Sequence, residues 1–188
     1  MKRRLVVPLI VLPLVVVLVG FVTVGVRSYP PSQEIVIDAI GPRYELAELL
    51  HDAELVIVAR AVDQDAGWNS SNNLPWKADA GAPNQSFIYS TTRLAVLRVI
   101  RGEYAAPEID VKSIGGDVGE VRMTFAESAA LKPGQEYMLM LRRVTIPTRE
   151  GAEEAWMPIA LGQGTFVGEL GGFRNSAGEF AARADFGE

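Results

Sequence analysis

The chain has no cysteine and only one histidine, and these scarcities exclude several kinds of chemistry. Without cysteine there can be no disulfide, thiolate metal site, cysteine nucleophile or lipid-modified cysteine. A zinc site would lack thiolate ligands and would have a single imidazole to use. We therefore expect no metal and no cofactor, and a fold that is stable through packing alone.

The single histidine, His51, lies near the end of a predicted short helix. A cationic side chain at that end interacts favourably with the helix dipole. Any catalytic triad or acid–base pair that used an imidazole would need this one residue. We interpret His51 as a surface residue at the helix end, and the sequence assigns no catalytic residue.

Beyond the N-terminus, basic residues are outnumbered by acidic ones. Lys2, Arg3 and Arg4 come first, so 15 of the 18 Lys and Arg follow residue 26, against all 23 Asp and Glu. The difference between these two counts gives that part of the chain a formal charge of −8. Because an acidic surface repels phosphate backbones, we expect no nucleic-acid partner.

Residues 5–26 form a run without a charged side chain. As a helix this run would be roughly 33 Å long, enough to cross the hydrocarbon core of a bilayer. The basic residues in front of it favour an N-terminus in the cytoplasm and a C-terminal domain outside. The sequence thus predicts a cytoplasmic stub and transmembrane signal-anchor over residues 1–27, in a single-pass protein of the cell membrane.

The alternative for this run is a cleaved secretory signal, which would make the protein secreted. Such a signal has a shorter apolar region and a cleavage site with small residues, and here only Thr23, Val24 and Gly25 offer them. Because the uncharged run is longer than the apolar region of a typical signal, the sequence favours the anchor. Under either interpretation the remainder is exported, and a cysteine-free exported domain favours a bacterial source.

The exported part divides into a spacer and one domain. Residues 28–42 contain several prolines and predict a linker, within which Ile35, Val36 and Ile37 leave room for an edge strand. Residues 43–188 have the size of a single domain. Within it, residues 44–53 carry leucines at helical spacing, and residues 63–85 form a long polar loop.

Short strands fill most of the predicted domain. They are separated by Gly, Pro and Asn, as in an antiparallel barrel or sandwich. Lys132 to Gln135 predict a tight turn, and Gly115 and Gly116 predict a bulge, not a phosphate cradle. On one face of the second strand we expect Thr92, Leu94, Val96, Arg98 and Ile100. The predicted strands are residues 55–62, 87–102, 108–114, 121–125, 136–146, 156–161, 164–169 and 179–183.

Three segments carry a family resemblance: HDAELVIVARAV, RLAVLRVIRGEYAAPEIDVKSIGG and LKPGQEYMLML. Their order resembles that of netrin-like modules, including the tissue inhibitors of metalloproteinases, and more closely that of uncharacterised bacterial exported proteins. The similar stretch covers residues 53–141. It implies a mainly β fold, an antiparallel OB-like β-barrel with one short packing helix. The inhibitors act through an N-terminal cysteine, so protease inhibition does not carry over.

The predicted loop over residues 63–85 provides the candidate binding residues. Large aromatic residues are unusual in a polar loop, so Trp68 and Trp76 are predicted anchors for a ligand, with Asn69, Asp63 and Asp65 beside them. The alternative is that both rings plug the end of the barrel. The three polar residues could also hold a cation, although the pattern of a calcium-binding EF-hand loop is not met.

These observations favour a membrane-anchored extracytoplasmic binding module without catalytic activity. Its partner would be another envelope protein or a glycan. Two alternatives stay open from the sequence: an envelope hydrolase that uses carboxylates distant along the chain, and a purely structural envelope protein.

Overall fold

A computed structural model describes residues 33–37, 42–69, 87–126, 128, 130–148 and 151–186. The described chain is mainly β and includes one α-helix. A short 3₁₀ helix, Arg183–Phe186, follows the last strand. The elements are β1 Gln33–Ile37, α1 Leu46–Asp52, β2 Leu55–Asn69, β3 Phe87–Arg101, β4 Glu108–Ile114, β5 Gly116–Val118, β6 Val121–Phe125, β7 Glu136–Thr148, β8 Gly151–Pro158, β9 Thr165–Glu169, β10 Gly172–Asn175 and β11 Phe180–Ala182.

The strands form two sheets. The larger has eight strands in the order β11-β10-β9-β7-β2-β3-β4-β8, and β7 also pairs with β8. The smaller has the order β1-β6-β5, with β1 parallel to β6. In the larger sheet, β4 meets β8 in parallel through Val111 and Trp156, while the other pairings are antiparallel. The pairings therefore lead from β7 through β2, β3, β4 and β8 back to β7.

Alternation along β2 supplies two parts of the core. Leu55 and Ile57 belong to a cluster on the side of β4 and β8, whereas Val56 and Val58 pack with Leu49 of α1. Because successive side chains of a strand point to opposite faces, a strand buried on both sides must be apolar throughout. β7 shows the same pattern from residue 137 to residue 141, where every side chain is buried, as the sequence predicts.

The predicted helix is confirmed, but α1 covers Leu46–Asp52 and is shorter at both ends than the predicted residues 44–53. Glu45 is its extended N-cap residue, and a capping box joins the Glu45 and Glu48 side chains to each other's backbone N–H groups. Leu49 is buried in the core, and His51 is exposed in the last turn. The helix is further tied down by Gln163, whose Oε1 accepts a hydrogen bond from the Tyr44 N–H at 3.0 Å.

The predicted loop over residues 63–85 is wrong in its first part. Residues 63–69 continue β2, because each of them is paired in register with β3, from Asp63 opposite Arg93 to Asn69 opposite Phe87. The polar residues that suggested a loop are accommodated because this part of the ribbon is largely exposed. The partner strand therefore overrides the weak local preference. Residues 70–85 lie outside the described part.

The predicted common face of β3 is also only partly correct. Thr92 and Leu94 are fully buried, but Leu97 and Ile100 have no partner in the β2 register, because register shifts occur at Val58/Ala59 and Val56/Ile57. Each shift is a bulge that turns the following side chains to the other face. Ile100 consequently packs beside α1.

The tight turn predicted at residues 132–135 is confirmed, and the bulge predicted at Gly115 and Gly116 is a change of direction between two strands. The N–H of Gln135 donates to the carbonyl of Lys132 at 3.2 Å, and Gly134 has a φ of +83°. Gly115 and Gly116, with φ of +107° and +137°, lead the chain from β4 into β5, from the larger sheet to the smaller. Residues with side chains rarely adopt such angles, which explains the glycines.

Near the ends of the chain the structure adds detail. β1 occupies residues 33–37, inside the predicted spacer, where the sequence leaves room for an edge strand. β8 begins at Gly151, five residues earlier than predicted, and β10 lies where no strand is predicted. No helix in the described ranges is long and apolar enough to cross a membrane. The predicted anchor, residues 5–26, lies outside those ranges.

Candidate functional site

A groove of about 640 Å³ brings three of the predicted site residues together. Asp65, Trp68 and Asn69, near the distal end of β2, line it on one side. The opposite side is formed by β7 and β8, whose hairpin contributes Ile146 and Glu153. The groove thus lies between the β2–β3 ribbon and the β7–β8 hairpin, and we call it the hairpin groove.

The register explains how separate strands supply one surface. Asp65 is opposite Thr91 of β3, and Thr91 is opposite Lys112 of β4. Residues directly opposite each other in a sheet have their side chains on the same face. These three residues form a polar row across three strands, and all three line the hairpin groove.

An ion pair connects this row to the hairpin. The Lys112 Nζ lies 2.5 Å from the Glu153 Oε2, and the Lys112 side chain is only 20% exposed. Glu153 is in turn opposite Ile146 in the β7–β8 register, and Ile146 is 4% exposed. Lys112 is therefore largely buried, whereas the Glu153 side chain is 47% exposed at the border of the groove.

Tyr89 lines the groove, and its surroundings shift the pKa of its hydroxyl. Burial raises the pKa of its hydroxyl above the ordinary value of 10.0, and the contact with the Asn69 side chain opposes that rise. Tyr89 lies opposite Gly67, where a Cβ atom would meet no other atom within 4 Å. The hydroxyl is neutral at physiological pH and can donate or accept a hydrogen bond.

Trp68 is an exposed aromatic residue at the border of the groove, and by strand alternation its side chain lies on the opposite face of β2 from Asp65 and Asn69. It is 41% exposed, although its register partner Ile88 is completely buried. A large ring left partly in water can still lose that water by binding a ligand. The anchor interpretation of Trp68 stays a prediction. Trp76 lies outside the described residues.

Asp63 belongs to a different group. Its carboxylate lies 3.5 Å from Arg93, which also lies 3.8 Å from Asp110. The structure therefore pairs Asp63 with an arginine and does not place it in the hairpin groove. Within the described residues there is no group of three or more His, Asp or Glu side chains that could hold a metal ion.

A second cleft, of about 720 Å³, lies where the smaller sheet covers the end of the larger one. Asp117 and Arg122 line it and form two hydrogen bonds of 2.7 and 2.9 Å. The hydrogen bonds from Arg122 lower the pKa of the Asp117 carboxyl below its ordinary range. Ser90 donates to the Gly115 carbonyl at 2.7 Å. Asp117, Arg122 and Ser90 thus each have a hydrogen-bond partner within the protein.

Several groove residues are not among those that the sequence pattern indicates. Tyr89 and Thr91 lie on a strand that was interpreted only through its apolar face, and their alternation with buried Ile88 and Ser90 was the available signal. Lys112 and Glu153 carry no mutual signal, because 41 residues separate them.

Comparisons with protein-family models, curated proteins and solved structures found no match to this chain.

Proposed function

We propose that this protein is a membrane-anchored extracytoplasmic binding module, without catalytic activity, whose ligand occupies the hairpin groove. The ligand class is a protein or a component of the cell envelope. One observation carries the proposal: Asp65, Asn69 and Tyr89 line a groove with the Lys112–Glu153 ion pair, and the exposed Trp68 lies beside Asn69 at the same end of β2. Small-ligand and recognition sites typically combine concavity, an aromatic surface and a few fixed polar groups.

An OB-type barrel is the architecture that we propose for β2, β3, β4, β7 and β8. Its support is the cyclic series of pairings, including the parallel contact of β4 with β8. In that fold, ligands bind beside the loops that connect the first to the second and the fourth to the fifth strand. Those loops correspond to the β2–β3 and β7–β8 connections, and the hairpin groove is lined by residues of the strands that these connections join. The netrin-like resemblance belongs to the same proposal.

The extracytoplasmic placement rests on the uncharged run of residues 5–26 and on the basic residues before it. A membrane anchor would hold the domain within reach of envelope components. The domain's excess of acidic residues supports a partner that is neutral or basic and opposes nucleic acid.

Photo-crosslinking in living cells tests the binding role. A photoreactive amino acid replaces Trp68 in the full-length chain, and the matched control carries it at Phe180, which is also 41% exposed but lies on β11. We expect adducts from position 68 and none from position 180. Equal adducts at both positions, or none at position 68, would contradict a specific site in the groove.

A groove-filling variant provides the second arm of this test. Gly67→Phe adds a ring where the backbone leaves open space, so the fold should tolerate it. The ring would occupy the groove, and we expect the adducts from position 68 to disappear. Persistence of the adducts in this variant would show that the partner contacts Trp68 from outside the groove.

A further inference from the structure

We infer that two copies of this chain pair through the outer edge of β1, antiparallel, with Ile35 of one copy opposite Ile35 of the other. The smaller sheets of the two copies would then form one continuous sheet, with three strands from each copy. This inference goes beyond the proposed binding role and does not depend on the hairpin groove, because β1 contributes no residue to that groove.

β1 is an edge strand of the smaller sheet. Among the strands that the structure describes, it pairs with β6 alone. The N–H of Gln33 donates to the carbonyl of Glu120 at 3.1 Å. The carbonyl of Ile37 accepts a hydrogen bond from the N–H of Ala126 at 3.1 Å. Both end residues of β1 therefore turn backbone groups toward β6.

The outer edge of β1 carries the backbone groups of Glu34 and Val36. Backbone groups of successive residues in a strand point to alternate edges, so these two residues point away from β6. Each offers one N–H and one C=O to a further strand. Exposed edges are templates for pairing with another chain unless charge, proline or a bulge blocks them. β1 contains no proline, a single charged residue and a regular register with β6.

Charge selects how two such edges align. With Ile35 opposite Ile35, Glu34 of each copy is opposite Val36 of the other, and no like charges meet. A slip of two residues in one direction would place Glu34 opposite Glu34, and in the other direction opposite Asp38. Like charges directly opposite each other destabilise a strand pair. A slip of one residue would mix the two faces of the sheet. The register centred on Ile35 avoids both costs.

The same register brings two apolar clusters together. Ile35 and Ile37 pack against the cluster of Phe87, Ile88 and Met123. In this register Ile35 meets its own copy at a position without hydrogen bonds, where the Cα atoms of an antiparallel pair lie about 4.5 Å apart. The two side chains would be in contact, and the two clusters would become continuous. This contact adds apolar burial to the backbone hydrogen bonds.

The proposed membrane anchor favours a second copy as the occupant of this edge. The predicted anchor ends at residue 26 and β1 begins at Gln33. Residues 27–32 can span at most about 21 Å, so each anchored copy would hold β1 near the bilayer. A two-fold axis along the membrane normal would let both chains return to one bilayer. Confinement there raises the effective concentration, which offsets the small size of a contact between five-residue strands.

Cysteine cross-linking of the full-length chain in membranes tests this register. The wild type has no cysteine, so each variant carries a single thiol. Ile35→Cys would place the two thiols of a dimer directly opposite each other, at a Cα separation that a disulfide allows. Ile37→Cys is the matched control, because Ile37 contacts the same cluster but would lie about 13 Å from its own copy along the strands.

With a mild oxidant, we expect a disulfide-linked dimer from position 35 and none from position 37. Phe180→Cys is the second control, because Phe180 is 41% exposed on β11, the edge strand of the larger sheet. It should give no dimer. Absence of a dimer from position 35, or equal yields from position 35 and either control, would overturn the inference.

A pair of charged substitutions tests the alignment without a covalent bond. Val36→Lys places a lysine opposite Glu34 of the other copy, and Val36→Glu places a like charge there. Position 36 is 59% exposed in the single chain, so the two variants should have similar melting temperatures. Each substitution acts twice in a symmetric dimer. We therefore expect the lysine variant to dimerise at least about tenfold more tightly than the glutamate variant.

Sedimentation of the full-length chain in mild detergent at low salt measures these affinities. Equal affinities for the two variants, or a tighter dimer of Val36→Glu, would contradict the proposed alignment. A cross-link from position 35 to a different protein, without a dimer, would show that the edge accepts a foreign strand and that the second copy is the wrong occupant.

The outcomes also separate this inference from the proposed function. Trp68 lies on β2, so failure of the β1 pairing does not change the adducts expected at position 68. Conversely, a dimer linked through position 35 in a protein that forms no adduct at position 68 would support the pairing and contradict the binding role of the groove.

Discussion

Val111 of β4 lies in parallel register with Trp156 of β8. This pair connects β4 to β8 in the series of pairings that leads from β7 through β2, β3, β4 and β8 back to β7. The Trp156 ring packs against the core cluster that contains Leu55 and Ile57. The Arg143 guanidinium lies 4.9 Å from the centroid of this ring. The contact therefore combines a backbone pairing, a packed ring and a cation–π interaction at one place.

Trp156→Ala should destabilise the fold strongly. Removing the ring leaves a cavity beside Val111, and we expect the free energy of unfolding to fall by about 2–4 kcal/mol. Trp68→Ala is the comparison, because the Trp68 ring is 41% exposed and its loss should lower the free energy of unfolding less than the loss of the Trp156 ring does. Urea denaturation followed by circular dichroism measures both. A larger loss in Trp68→Ala would favour a plug role for that ring.

A comparison of alanine substitutions at Gly102 and Gly171 distinguishes the cost of backbone strain from the cost of steric crowding. Both have a φ of +85°, but a Cβ at Gly102 would lie 2.5 Å from the Glu54 carbonyl oxygen, while one at Gly171 would meet nothing within 4 Å. Gly171→Ala should lose only the strain of the left-handed conformation, about 1–2 kcal/mol. Gly102→Ala should lose more than about 3 kcal/mol, because the backbone of β2 must also move. Equal losses in the thermal melts of the two variants would contradict this account.

The Tyr89 hydroxyl should ionise above pH 10.0 in the folded protein, because burial raises its pKa. A raised pKa means that the stability contributed by the neutral hydroxyl is complete below pH 10.0 and is lost as the pH rises through the folded-state pKa. Asn69→Ala should move the Tyr89 pKa further upward, since the Asn69 contact lowers it.

Carbon-13 NMR of labelled tyrosine measures this titration directly. The Tyr89 resonance is assigned by its loss in Tyr89→Phe, and its midpoint is compared between the wild type and Asn69→Ala. A midpoint below that of free tyrosine, or a downward shift in Asn69→Ala, would contradict the placement of Tyr89 in the groove.

The sequence alone determined those parts of the fold that depend on local patterns. Alternating Ile109 and Val111 indicated a half-buried strand, and both are buried. The apolar run at residues 137–141 indicated a central strand, and Pro133 with Gly134 indicated a tight turn. Each of these features is set by side-chain period or by backbone freedom, which adjacent residues decide. The mainly β character followed from them.

Only the tertiary structure decided how far β2 extends and where its bulges fall, because both depend on the partner strand β3. The same holds for the site. The sequence indicated Asp65, Trp68 and Asn69 from one segment, but the groove also needs Lys112 and Glu153, which are 41 residues apart and meet because β4 pairs with β8. Such a contact leaves no trace in local periodicity, since it arises from how whole strands pack.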